Sequence, residues 1–179
     1  MILPSGHDAP YRELHAAFDG DHLFIPLADE SATQNLGRIL AGIVAAGEVI
    51  ALRGDLGAGK STLARALIRA LAADSDLEVP SPTYTLVQSY DTEPPVWHFD
   101  LYRLGDPSEL AELGFEEAAE DGVVLCEWPE RAGIETIASL TILLEATDGN
   151  GRRALVSGVS PMIVRLCDAL GVNPHAKKS

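Results

Sequence analysis

Gly54-Asp55-Leu56-Gly57-Ala58-Gly59-Lys60-Ser61 satisfies the pattern G-x-x-x-x-G-K-[ST] in full, and the chemistry of that spacing is the gripping of phosphate. Glycines let the backbone turn several N–H groups toward one point with no Cβ in the way. A helix that follows adds the positive end of its dipole. Lys60 is expected to reach the β- and γ-phosphates of a bound nucleotide, and the Ser61 hydroxyl to ligate Mg²⁺. The lysine looks placed for this purpose, because the other two lysines, Lys177 and Lys178, stand in the last few residues.

A Mg-nucleotide site also needs carboxylates at the ends of neighbouring strands. Asp100 closes VWHFD and Glu127 closes VVLCE. A direct or outer contact to Mg²⁺ and orientation of the attacking water are the two tasks open to them, and spacing alone does not divide the tasks. His98 lies two residues before Asp100 and so on the same strand face, where it reads first as a satisfied structural histidine. Trp128 adjoins Glu127, so its fluorescence is placed to report nucleotide; plain packing is the default for it and for Trp97. Absences narrow the class: no asparagine precedes a lysine as in N-K-x-D, no L-S-G-G-Q occurs, and no Arg-rich lid follows.

The elements that must position these groups are legible in the apolar pattern. EVIALRG, a short apolar run, is a buried-strand candidate leading into the glycines, and KSTLARALIRALAA resumes helical spacing after them. Upstream, Ser31 and Gln34 have capping-box spacing, Leu36, Ile39, Leu40, Ile43 and Val44 form a helical stripe, and Gly47 is placed to stop it. SPTYTLVQSY and VWHFDLY are β-rich and joined by the turn-like DTEPP. DPSELAELGFEEAAED opens with an Asp106 cap and Pro107 at the first helical position, and is interrupted near Gly114. GVVLCEW reads as a buried strand, LTILLEATDGNGRRALVSG as two strands around a Gly-rich turn, and SPMIVRLCDALG as a short helix capped by Ser160 and ended by Gly171.

Strands alternating with helices early, followed by a late hairpin, argue for an α/β fold of the P-loop NTPase type: a mostly parallel sheet flanked by helices, with antiparallel edge strands. The expected organisation is a loosely held extension over 1–22, one ATPase domain over 23–159, and a short helix with a polar tail over 160–179.

At 179 residues, 46% of them hydrophobic and 22% charged, the chain suits a single globular core. No apolar run approaches the roughly 20 residues of a membrane span. The opening segment lacks a basic flank followed by an apolar stretch, so a cytoplasmic location is expected. Cys126 and Cys167 sit in apolar runs and read as buried thiols. The formal net charge of −14 repels a phosphate backbone, so tight nucleic-acid binding by this chain alone is not expected.

Taken together, GDLGAGKST, SPTYTLVQSY, HFDLYRL, DPSELAELGFEE and CEWPERA resemble, in order and spacing, the TsaE family of P-loop ATPases. That resemblance implies a weak, Mg-dependent ATPase acting with TsaD- and TsaB-type partners. Their pathway makes threonylcarbamoyladenosine on tRNAs that read codons beginning with A. It implies that Gly57, Ala58, Gly59, Lys60, Ser61 and Thr62 wrap the phosphates and that Ser61 and Glu127 hold Mg²⁺. Asp100 becomes the carboxylate needed for hydrolysis, Ser81, Pro82 and Thr83 a switch loop sensing the γ-phosphate, and Glu30 and Thr33 neighbours of the adenine. The family usually has Thr where Ser61 stands, and both residues offer the hydroxyl. A small-molecule kinase and a nucleotide-sensing module without relevant hydrolysis are the rival readings.

Overall fold

The computed structural model describes residues 14–19, 21–159 and 161–173, and its strands join in one eight-stranded sheet. In chain order the strands are β1 (Ala17–Asp19), β2 (His22–Leu27), β3 (Glu48–Arg53), β4 (Val87–Tyr90), β5 (Val96–Asp100), β6 (Val123–Glu127), β7 (Leu140–Ala146) and β8 (Arg152–Gly158). Across the sheet they run β1-β2-β8-β7-β3-β6-β5-β4. The central four, β7, β3, β6 and β5, are parallel. Antiparallel strands complete both sides: β8, β2 and β1 on one, β4 on the other.

The centre of the sheet follows from composition. All five residues of β6 are buried and so are Val49 to Leu52 of β3, as expected for strands covered on both faces. Alternation then sorts side chains between two apolar layers. Ile50, Leu52, Val123 and Leu125 point toward α1 (Glu30–Ala41), α2 (Lys60–Ala72) and α5 (Met162–Ala169). Val49, Phe99, Val124 and Cys126 point toward Phe115 and Ala118 of α4 (Phe115–Asp121), which follows the one-turn helix α3 (Glu109–Glu112). Asp100 and Glu127 have the parity of Val96 and Leu125, so both acids project on the side of α2.

Helix α1 begins and ends earlier than the capping-box reading predicts. Asp29 is the cap, its Oδ1 accepting from the Ala32 N–H at 2.9 Å, which leaves Ser31 inside the first turn. Aspartate caps as well as serine and comes first in the chain. The helix closes at Gly42, whose N–H turns back on the carbonyls of Arg38, Ile39 and Leu40. Ile43 and Val44 therefore lie beyond it, although they still pack on the core. Gly47 serves the next turn, donating to the Gly122 carbonyl at 2.8 Å.

Helix α3 starts at Glu109, with Ser108 as its cap, so Pro107 lies in the turn before it and not at the expected first helical position. Asp106 still orders that turn: its Oδ1 accepts from the Ser108 N–H at 2.8 Å, and Glu109 Oε1 accepts from the Asp106 N–H at 2.9 Å. Gly171 (φ +67°) ends α5, and Val172 N–H closes the turn on Cys167 O at 2.9 Å. The expected Ser160 cap lies outside the described residues. Within the stretch expected to be a loose extension, Ala17–Asp19 pairs with Leu23 and its neighbours of β2. Met162, Leu166 and Cys167 of α5 join the same core as the central strands.

Helices α1 and α2 approach so closely at Gly37 that a Cβ there would stand 2.7 Å from the Leu63 carbonyl oxygen and 2.8 Å from the Ala66 methyl. Gly37→Val is expected to lower stability by about 2–3 kcal/mol, since backbone cannot yield as a side chain does. An unchanged urea midpoint would contradict this packing.

Candidate phosphate site

Between the last residue of β3 and the first of α2 the chain turns through Gly54 (φ +132°), Gly57 (φ +80°) and Gly59 (φ +109°). At Gly54 a Cβ would lie 2.2 Å from the Leu144 carbonyl oxygen of β7, so only glycine lets the loop leave the sheet there. Gly59 caps α2 and, having no side chain, takes up none of the amides of the first turn. Those N–H groups and the helix dipole are thus directed at whatever the loop encloses.

Lys60 is buried, 4% exposed. Its Nζ donates to the carbonyls of Gly54 at 2.7 Å and Asp55 at 2.9 Å and lies 3.9 Å from the centroid of the Trp128 ring. Burial pulls the ammonium below the ordinary lysine range; Glu127, then Asp100, Glu130 and Asp55, act against that pull. The charge is held inside the loop by carbonyl dipoles and a π-face rather than extended into solvent.

The Ser61 hydroxyl donates to Glu127 Oε2 at 3.0 Å, and the other carboxylate oxygen, Oε1, meets His98 Nε2 at 2.8 Å. Glu127 and His98 are almost wholly buried. His98 is therefore the side chain that orients Glu127, and its buried Nδ1 has no partner among the described residues. On the adjacent strand, Asp100 Oδ2 accepts from Ser81 Oγ at 2.8 Å and Thr83 Oγ1 at 3.1 Å, and its Oδ1 accepts from the Tyr102 N–H at 3.1 Å. The 81–83 segment thus hangs on one oxygen of the carboxylate. Leu86 N–H closes the loop on the Pro82 carbonyl at 2.7 Å.

A cleft of about 300 Å³ brings together Gly57, Gly59, Lys60, Ser61, Thr62, Thr83, Asp100 and Glu127. Ala58 does not line it; it is buried, its N–H taken by the Asp55 carbonyl at 3.1 Å. Glu30 does not line this cleft. It is exposed on the first turn of α1, bonded to Gln34 Nε2 at 3.2 Å, and borders the neighbouring groove together with Thr62 and Arg65. Thr33 is buried and turns its methyl toward Gly59. The cleft also holds Arg152, which the sequence reading passed over. The only signal for it was a basic pair after a Gly-rich turn, and its approach to Gly59 is made across the β7–β8 hairpin.

Hard oxygen donors suit Mg²⁺, which takes one or two protein oxygens and shares the rest of its shell with phosphate and water. The Ser61 hydroxyl and the Glu127 carboxylate form such a pair beside the loop. Among the described residues no group of three or more His, Cys, Asp or Glu stands ready to hold a metal. The donors present therefore fit a metal shared with a phosphate ligand, not an all-protein cage. Nor is any described helix long and apolar enough to cross a membrane.

A family model described as threonylcarbamoyl adenosine biosynthesis protein TsaE matches residues 27–155. Among curated relatives, tRNA threonylcarbamoyladenosine biosynthesis protein TsaE of Rickettsia felis is 38% identical over 128 residues, covering 70% of this chain and 74% of the relative. The protein of the same name from Nostoc is 39% identical over 137 residues, covering 73% and 83%. That from Aquifex aeolicus is 35% identical over 131 residues, covering 73% and 92%. Among solved structures, the crystal structure of YdiB from Bacillus subtilis superposes with a TM-score of 0.67 at 24% identity, covering 87% of this chain and 97% of the other, a likeness of fold.

Proposed function

The chain belongs to the TsaE family and so to tRNA threonylcarbamoyladenosine biosynthesis, and from that premise we propose that it binds Mg-ATP in the cleft around Lys60 and hydrolyses it in service of that pathway. The observation that carries this reading is the meeting of Ser61 and Glu127 beside the glycine loop, with Asp100 on the next strand tied to Ser81 and Thr83.

The residues divide the work as follows. The loop amides and Lys60 hold the triphosphate, while Ser61 and Glu127 hold the metal, with His98 fixing the carboxylate's orientation. When bound, Mg²⁺ neutralises charge on the outer phosphates. Asp100 orients the water that attacks the γ-phosphorus; the bond to the bridging oxygen breaks, and ADP and phosphate result. Because the same carboxylate holds the 81–83 segment, loss of the γ-phosphate is felt in that loop. The work is done in the cytoplasm with TsaD- and TsaB-type partners. The net charge of −14 leaves contact with tRNA to those proteins.

Titration of the purified chain with ATP, with and without Mg²⁺, tests the reading directly. Mg²⁺ is expected to tighten ATP binding in the native chain and to lose most of that effect in Glu127→Ala. Affinity indifferent both to the metal and to Glu127 would overturn the assignment.

A further inference from the structure

Arg152 opens β8, and the alternation of that strand gives it the same face as Ala154 and Val156, which pack in the layer beneath α1 and α2. Its neighbour Arg153 takes the opposite face and is bound to Glu145 at 2.8 Å. Arg152 is half-buried and lies across the end of the glycine loop: its Nε and Cδ stand 3.0 and 3.1 Å from the point that a Cβ on Gly59 would occupy. The guanidinium borders the same cleft as Lys60 and Ser61.

Two features separate it from an ordinary surface arginine. Every other lysine or arginine among the described residues has a carboxylate, carbonyl, amide or aromatic partner. Arg152 has none among the described residues, in a chain whose net charge of −14 offers acids in excess. The sheet order, moreover, puts β7 and β8 on one side of β3 and places β6 and β5, with Glu127 and Asp100, on the other. Arg152 therefore reaches the loop from the flank away from both acids.

We propose that Arg152 is a nucleotide-binding residue that grips the inner phosphates, those common to ATP and ADP, from the flank of the loop opposite Glu127 and Asp100. The guanidinium's planar fork matches phosphate oxygens, and the first-turn amides after Gly59 would draw the same anion toward it. Its position away from Asp100 makes it a residue of affinity and not of the hydrolytic step. This assignment rests on the reading of the cleft as a nucleotide site.

The test is calorimetric titration of the full chain with ATP and with ADP, alongside steady-state hydrolysis. Arg152→Gln is expected to weaken both nucleotides by about ten-fold or more, with kcat at saturating ATP within about two-fold of the native value. Arg152→Lys, which keeps charge but loses the fork, falls between. Arg153→Gln, of equal charge change on the other face, binds like the native chain. Native-like affinity in Arg152→Gln overturns the proposal. So does a loss confined to kcat or to ATP alone, which would put the guanidinium at the γ-phosphate. Should Arg152→Gln fail to fold, Arg152→Lys decides: weakening of both nucleotides by about three-fold supports the role, and unchanged affinity ends it. A native chain that binds neither nucleotide removes the site itself, an outcome distinct from failure of Arg152 alone.

Discussion

Lys60→Ala is expected to weaken ATP binding by at least about ten-fold, corresponding to the roughly 1.5–3 kcal/mol of a charge-assisted hydrogen bond. The geometry favours the upper part of that range. The ammonium is buried, and the loop that encloses it supplies neutral carbonyls from Gly54 and Asp55 and a tryptophan face. A triphosphate would therefore meet the cation with little intervening solvent, where its attraction is screened least. The same substitution strips two carbonyls of a donor, so urea denaturation run in parallel separates loss of binding from loss of fold. Calorimetric affinity within two-fold of native, in a chain that remains folded, would remove Lys60 from the site.

The second large effect is expected at Asp100. Asp100→Ala should lower ATP turnover by about 10² or more, the scale of a missing acid–base or water-orienting group, while ATP affinity stays within several-fold because Lys60 and the loop amides are untouched. The hydroxyls of Ser81 and Thr83 lose their shared acceptor at 2.8 and 3.1 Å, so the 81–83 segment loosens as well. Asp100→Asn keeps the shape and one acceptor oxygen, and distinguishes the two consequences: turnover falls again, but the loop stays hooked. Hydrolysis at the native rate in both variants would remove Asp100 from the hydrolytic step, whereas native tRNA modification in a variant that binds ATP but no longer hydrolyses it would leave a nucleotide sensor in place of an ATPase.

Much of this site is legible in the chain because its parts are local. The glycine loop, its lysine and the following helix are contiguous, and a run such as VVLCE ends in its functional acid by strand composition alone. Parity along β5 likewise places His98 beside Asp100 without any knowledge of neighbours. Other features are set by pairing across the fold. His98 looks like a core histidine until β6 brings Glu127 within 2.8 Å, and Arg152 looks like surface charge until the β7–β8 hairpin folds it onto Gly59. The helix ends were misjudged for a different reason. Asp29 and Ser31 compete as caps, and Gly42 and Gly47 as terminators, and spacing alone does not choose between residues of nearly equal fitness. Glu30, placed by resemblance beside the adenine, follows the actual cap by one residue and borders the groove that it shares with Thr62 and Arg65.

The register of the sheet carries a mechanical consequence. Leu52, Glu127 and Asp100 are direct cross-strand partners on three adjoining parallel strands. The two acids are thus anchored at one level, and the roughly 4.8 Å interval between strands is fixed by backbone bonds. An anvil of this kind does not travel. Under the proposed hydrolysis of ATP, any stroke would therefore fall to the glycine loop and to the 81–83 segment hooked to Asp100. Tyr84 follows that segment directly and is 83% exposed, so a displacement there would be broadcast at the outer surface while the acids beneath stay still.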